Sequence, residues 1–114
     1  MVGRNKNEPL EKETQRTICD WLAYHKYFFW RNNSKPIYDP IGKKFRAMPK
    51  YTPKGLPDII VLHNGLFIGL EVKRSYAQLR PEQADFGLRC KQAGGLYYTV
   101  HNLTEVIAIK EFDK

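Results

Sequence analysis

The sequence predicts an α/β protein: a mixed β-sheet flanked by helices, with elements in the order α-β-β-β-α-β. Three observations predict it. Two apolar runs, 57–63 and 66–73, flank Asn64-Gly65, the dipeptide that two-residue type I′ hairpin turns prefer. A helical pattern over 81–94 then separates the second of these runs from another at 96–101, which is the length of crossover that joins parallel strands. An amphipathic helical pattern precedes all of them.

Taken in order, Asn7-Glu8-Pro9 reads as a helix start, with Asn as N-cap, Pro in the first turn and acids near the positive end of the dipole. That helix should run to about residue 24 or 26. Residues 27–32 are aromatic enough for a strand. Residues 33–56 carry Pro36, Pro40, Pro49 and Pro53 with no sustained periodicity, and read as a long loop. A loop of that length is usually functional or mobile rather than merely connecting. The hairpin follows, then the 81–94 helix, which Pro81 opens and Gly94-Gly95 stop, then the 96–101 strand. Residues 104–109 suggest a short terminal helix capped by Asn102 or Thr104.

The 114 residues suit one domain, spanning 1–114, large enough to bury a core without a disulfide or metal staple. With 42% hydrophobic and 27% charged residues the chain is neither disordered nor membrane-spanning. No apolar run approaches the ~20 residues of a membrane helix. The first seven residues lack a signal peptide's apolar core. Cys19 and Cys90 share no metal-ligand spacing and read as buried thiols of a reducing, cytoplasmic setting. Secreted, membrane-spanning and zinc-finger readings are excluded.

Charge is the first positive clue. The formal net charge is +7, and residues 31–56 alone hold seven Lys and Arg against Asp39, a local excess of +6. A basic segment of this kind is an electrostatic footprint for nucleic acid or equally, on charge alone, a solubilising loop.

The chemistry sits on the hairpin. With a two-residue turn at Asn64-Gly65, strand partners carry numbers adding to 129, so Asp58 faces Glu71 on one side of the sheet with Cβ atoms roughly 5 Å apart. Lys73, two residues on, points to the same side, and Gly69 leaves space there. Facing like charges destabilise a sheet, so Lys73 and a divalent cation are expected to compensate them. An exposed salt-bridge cluster is the weaker alternative, because Ile60, Leu62 and Phe67 share that side and place the acids at the lip of a core. In the first helix, Glu11, Gln15, Ile18 and Leu22 fall within about 60° of one another at 100° per residue. Glu11 therefore lies on the buried stripe, where a carboxylate needs a partner or a metal; attraction to the helix dipole explains it nearly as well.

Gly55-Leu56-Pro57-Asp58, Glu71-Val72-Lys73 and Gln83, preceded by Glu11-x-x-x-Gln15, resemble the PD-(D/E)xK nuclease superfamily and, within it, the VRR-NUC (virus-type replication-repair nuclease) family in its minimal stand-alone form. The resemblance runs from about Glu11 to the end of the chain and departs at Arg80, where the family often has Ser or Thr as helix cap. It implies a restriction-endonuclease-like core and a metal-dependent endodeoxyribonuclease. By that resemblance Asp58, Glu71 and the Val72 carbonyl hold Mg²⁺ or Mn²⁺, and Glu11 reaches the ion directly or through water. Lys73 orients the attacking water, and Gln83 hydrogen-bonds near the site unless it is simply a solvated helix residue. Lys43, Lys44, Arg46, Lys50 and Lys54 are the candidate grips on the nucleic-acid backbone, with Arg31 and Arg74 nearer the cut. Phe45 and Tyr51 either stack on bases or pack the loop down.

Stand-alone relatives of this kind suggest a homodimer cutting branched DNA such as Holliday junctions. The rivals are a general or restriction-like nuclease that nicks plain duplex, and a catalytically silent nucleic-acid-binding module. The intact acid–lysine set argues against the silent module, since acids beside phosphate repel DNA unless a metal intervenes. His63-Asn64 and His101-Asn102 do not make an HNH nuclease, because no helix with a second spaced histidine follows. His25, His63 and His101 lack zinc-ligand spacing.

Overall fold

The computed structural model describes residues 8–32, 38–45 and 50–112. Its elements are α1 (Glu11–Tyr24), β1 (Phe28–Arg31), β2 (Tyr38–Asp39), β3 (Lys44–Phe45), β4 (Ile59–His63), β5 (Leu66–Val72), α2 (Pro81–Gln92), β6 (Leu96–Val100) and α3 (Leu103–Ile107), followed by a 3₁₀ turn at Lys110–Phe112. A four-stranded mixed sheet in the order β1-β4-β5-β6 forms the frame. Its first three strands are antiparallel, and β6 returns parallel to β5 after the α2 crossover. The expected α/β class and mixed sheet are therefore observed.

The Asn64-Gly65 turn sets the register. Both residues have positive φ (51° and 79°), as a type I′ turn requires. The pairs run from His63↔Leu66 to Ile59↔Leu70 without a slip. One side of the sheet carries Ile59, Val61, Ile68, Leu70, Val72 and Val100, which pack with Ile18 and Leu22 of α1 and Val106 of α3 into the core. Burial of these branched side chains is the main stabilising term, at about 1.5–3 kcal/mol each. The other side carries Ile60, Leu62, Gly69, Glu71 and Tyr97, and α2 packs across its β5–β6 half, with the Tyr97 ring directly under Gly87.

Three sequence expectations are corrected. α1 begins at Glu11 with Leu10 as an N-cap that makes no side-chain bond. Glu8 is instead drawn away to Ser75, and Asn7, the expected cap, lies outside the described residues. The segment expected as loop holds a small antiparallel pair, β2 with β3, in register Tyr38↔Phe45 and Asp39↔Lys44; a pair this short leaves no run of apolar alternation to read. Gly69 leaves no vacancy: a Cβ there would stand 2.8 Å from Pro57 Cγ and 3.4 Å from the Tyr97 ring, which fill the space. On the Asp58 side, Ile60 is 5% exposed and Leu62 42%, so the acids stand at the edge of a packed region. At the chain's end, Asn102 caps α3 as anticipated, its Oδ1 accepting from the Glu105 amide at 2.9 Å.

Candidate active site

The hairpin register carries Asp58, one residue before β4, up against Glu71 near the end of β5. Asp58 is half-buried and Glu71 is 2% exposed. Asp58 is pinned by the backbone: its Oδ2 accepts from the Val72 amide at 2.8 Å. The approach of the chain to Asp58 is fixed by Gly55, whose φ is +76° and whose missing side chain lets it lie on the first turn of α2. A Cβ at that position would stand 2.2 Å from the Glu82 carbonyl oxygen. The Gly55-Leu56-Pro57-Asp58 turn and the start of α2 are thereby locked together, with the Pro57 side chain fully buried.

That contact matters because α2 supplies Gln83. Its Oε1 accepts from the Arg80 amide at 2.9 Å, which is the side-chain half of a capping box. A backbone N–H only donates, so the orientation of the Gln83 amide is settled and its NH₂ group faces Glu71, donating to Oε2 at 2.9 Å. Arg80 contributes no acceptor of its own, consistent with the missing Ser or Thr. The remaining Glu71 oxygen, Oε1, is buried and meets no N–H or hydroxyl donor among the described residues; a bond between the Glu71 and Asp58 carboxyls forms only while one of the two carries a proton.

The electrostatics follow from burial. Desolvation raises the pKa of Asp58, although the Val72 amide and Glu71 oppose that rise. Desolvation, then the neighbouring Asp58, push Glu71 up to about 8. Near neutral pH the pair thus keeps a proton between its two carboxyl groups. Lys73 is 8% exposed, and its charge favours ionisation of both acids, while Glu11 disfavours it. Glu11 is half-buried at the end of the sheet and its Oε2 accepts from the Arg74 amide at 3.0 Å.

An orphaned buried oxygen, an acid pair that holds an excess proton and a nearby lysine fit a small divalent cation. Among the described residues no three His, Cys, Asp or Glu side chains converge as a ligand set. The direct protein donors would be Asp58 and Glu71. Glu11, with one oxygen spent on Arg74, fits a water-mediated role. The Val72 amide is bonded to Asp58, which leaves the Val72 carbonyl open as a further oxygen donor.

The basic segment is anchored beside these acids. Chain leaves the sheet at Asn32 and returns at Pro57, and the Asn32 amide donates to the Asp58 carbonyl at 2.8 Å. Lys43, Lys50 and Lys54 are exposed, with the Lys50 ammonium 5.1 Å from the Tyr51 ring centroid. Lys44 lies in β3, and Arg46 falls outside the described residues. Arg31 is exposed and donates to Gln15 Oε1 at 2.9 Å. Arg74 departs from the phosphate-gripping role expected of it: it is 7% exposed, its Nη2 donates to the Glu8 carbonyl at 2.8 Å, and it lies within 3.7 Å of the Glu8 carboxylate. Glu8 also takes the Ser75 amide and hydroxyl. Arg74 thus ties the N-terminal segment to the end of β5.

Tyr97 was missed by sequence reasoning. It pairs with Gly69 in the parallel ladder, and its buried hydroxyl has no hydrogen-bond partner among the described residues. Desolvation, then the charges of Glu71 and Asp58, hold the phenol far above its usual range. The register of a parallel pair cannot be read from local sequence, so only the two-residue spacing of Tyr97 and Thr99 hinted at a shared face.

The arrangement is two facing acids, a lysine and a helix glutamine at the open end of a mixed sheet in an α/β fold. Comparison with solved structures says which such fold. The chain is similar to a structure described as a VRR_NUC domain, with a TM-score of 0.62 and 17% identity over 91% of this chain and 97% of that one. It is also similar to a VRR_NUC domain protein, with a TM-score of 0.67 and 15% identity over 90% of this chain and 86% of that one. The chain has the VRR-NUC fold. No family model matches the chain, and no curated protein matches it in sequence. No helix among the described residues is long and apolar enough to cross a membrane.

Proposed function

We propose that the chain is a Mg²⁺- or Mn²⁺-dependent endonuclease that hydrolyses phosphodiester bonds of DNA, acting as a homodimer on branched DNA such as four-way junctions. The observation that carries this reading is the buried Asp58–Glu71 pair with Glu71 Oε1 left over, set beside Lys73 where the basic segment meets the sheet. The fold shared with VRR_NUC domains supports it.

A bound divalent ion would supply Lewis acidity toward a phosphoryl oxygen and a more acidic water. The chain's own residues do the rest. Val72 holds Asp58 by its amide and Gln83 holds Glu71 by Oε2, so that both acids are fixed in place and Glu71 Oε1 would face the ion. Binding of a cation there would require the pair to give up the proton it keeps. Lys73 orients the attacking water and offsets charge that develops on the phosphate. Lys43, Lys50 and Lys54 draw the polyanion toward the acids, which would otherwise repel it. Two centres related by a two-fold axis suit two symmetric strands of a junction.

The test is a cleavage panel of junction, flap, single-stranded and duplex DNA with Mg²⁺ or Mn²⁺. Junction cleavage that stops on chelation, and that Lys73→Ala abolishes while DNA binding persists, is the expected outcome. Cleavage persisting in chelator would overturn the mechanism. Equal cutting of plain duplex would overturn the branched substrate.

A further inference from the structure

We propose that Phe28 and Trp30 form a base-stacking platform beside the acidic centre, so that the nucleic acid taken there has unpaired or splayed bases next to the cut. The proposal rests on the nuclease reading for its polyanionic occupant and adds what that occupant must look like. Strand register puts both rings on the side of the sheet that holds the acids: Trp30 pairs with Ile60 and Phe28 with Leu62. Ile60 lies two residues from Asp58. At about 3.3 Å per residue and 4.8 Å between strands, Trp30 stands roughly 8 Å from Asp58 along the backbone, and Phe28 roughly 14 Å. The two rings form a line leading away from the carboxylates.

These rings are not core. Phe28 is 66% exposed and Trp30 43%, on the half of the face that α2 leaves open, whereas Phe29 between them packs against the core on the other side. A strand with aromatics outward as well as inward breaks the usual alternation of a half-buried sheet. An apolar patch left open in this way marks an interaction surface.

The occupant follows from ring chemistry, ring spacing and charge. Flat aromatic faces on an open sheet take nucleobases of any sequence by stacking. The ring centroids are 6.0 Å apart and the planes tilted by 59°. Neighbouring bases in an intact duplex strand are parallel and about 3.4 Å apart, so they cannot occupy both rings; bases pulled out of their stack can. A second copy of the chain is the other candidate for an apolar face. Six of the seven excess positive charges lie in residues 31–56, which begin directly after Trp30, so two copies meeting here would bring like charges together, whereas DNA neutralises them. The proposed homodimer would then use a different surface.

Binding by the full chain, followed by fluorescence anisotropy in Ca²⁺, tests this on a labelled 20-nucleotide single strand, the matching duplex and the duplex with a three-base flap. Trp30→Leu and Phe28→Leu keep an apolar side chain and lose the ring; Trp30→Phe keeps a ring. Each Leu variant is expected to bind single-stranded and flapped DNA about tenfold more weakly and duplex within about twofold of wild type, with Trp30→Phe retaining most of the affinity. Equal losses on all three DNAs, or none, would overturn the platform. So would a fall in molar mass by light scattering in the Leu variants, which would assign the face to a second copy. Cleavage is read separately in Mn²⁺: no cleavage but a ring-dependent preference for unpaired DNA removes the nuclease reading and keeps the platform, and the reverse result does the opposite.

Discussion

Replacing Glu71 with Gln should make the metal-free protein more stable in alkaline solution while leaving it inactive. Glu71 titrates at about 8 in the folded chain against 4.5 for an unperturbed glutamate. The folded state therefore holds a proton that the unfolded state has lost over the window between those values. Stability must fall as pH rises from about 4.5 to 8, because the folded carboxyl ionises only at a cost. At about 1.4 kcal/mol per pK unit, the loss has an upper limit on the order of 5 kcal/mol, and sharing of the proton with Asp58 makes the measured loss smaller. Gln fits the position without new strain: its carbonyl accepts from Gln83 as Glu71 Oε2 does, which turns its NH₂ group toward Asp58. Urea unfolding of both proteins in chelator at pH 5, 7 and 9 measures the difference directly. Wild type should weaken between pH 5 and 9, and Glu71→Gln should weaken less, overtaking it at pH 9. Titrating groups other than Asp58, which shares the proton with Glu71, cancel in the comparison. If the variant is less stable than wild type at pH 9 by more than about 1 kcal/mol, the buried pair is not held as described.

Gly55→Ala should destabilise the protein by about 2–4 kcal/mol, because the new Cβ meets the Glu82 carbonyl and φ is positive, and cleavage should fall further than stability since Asp58 and Gln83 lose their common footing; unfolding at wild-type denaturant would count against that coupling. Neutralising Lys43, Lys50 and Lys54 to Gln should weaken DNA binding and reduce the slope of log affinity against log salt by up to about 3. An unchanged slope would clear these lysines of phosphate contact. Arg74→Lys should cost stability rather than salt-dependent binding, because Arg74 bridges to Glu8 from a buried position; a lower salt slope with unchanged unfolding would restore it to the DNA-facing set.

The two acids came together in the sequence through one short-range signal. Asn64-Gly65 fixes a two-residue turn, the turn fixes the pairing, and the pairing from Ile59↔Leu70 outward delivers Asp58 to Glu71. Helix α2 and its arrival at Gln83 were legible from Pro81 and the Gly94-Gly95 stop. Features that depend on packing between distant segments were not. Glu8 leaves the helix start for Ser75, and Arg74 turns inward to meet it, through contacts about 67 residues apart in the chain. Tyr97 reaches the acidic side only through a parallel register that local sequence does not encode. Gly69 reads as a gap from sequence alone because nothing local reports that Pro57 and Tyr97 will occupy it. The β2–β3 pair, two residues per strand, is too short to leave a pattern.

Titration with Mn²⁺ near pH 7.5, by calorimetry in buffers of different ionisation enthalpy, tests the acidic pair most directly. One ion per chain, bound with release of up to one proton and lost in both Asp58→Asn and Glu71→Gln, is the predicted result. Undiminished binding in those two variants, or binding that releases no proton, would contradict it.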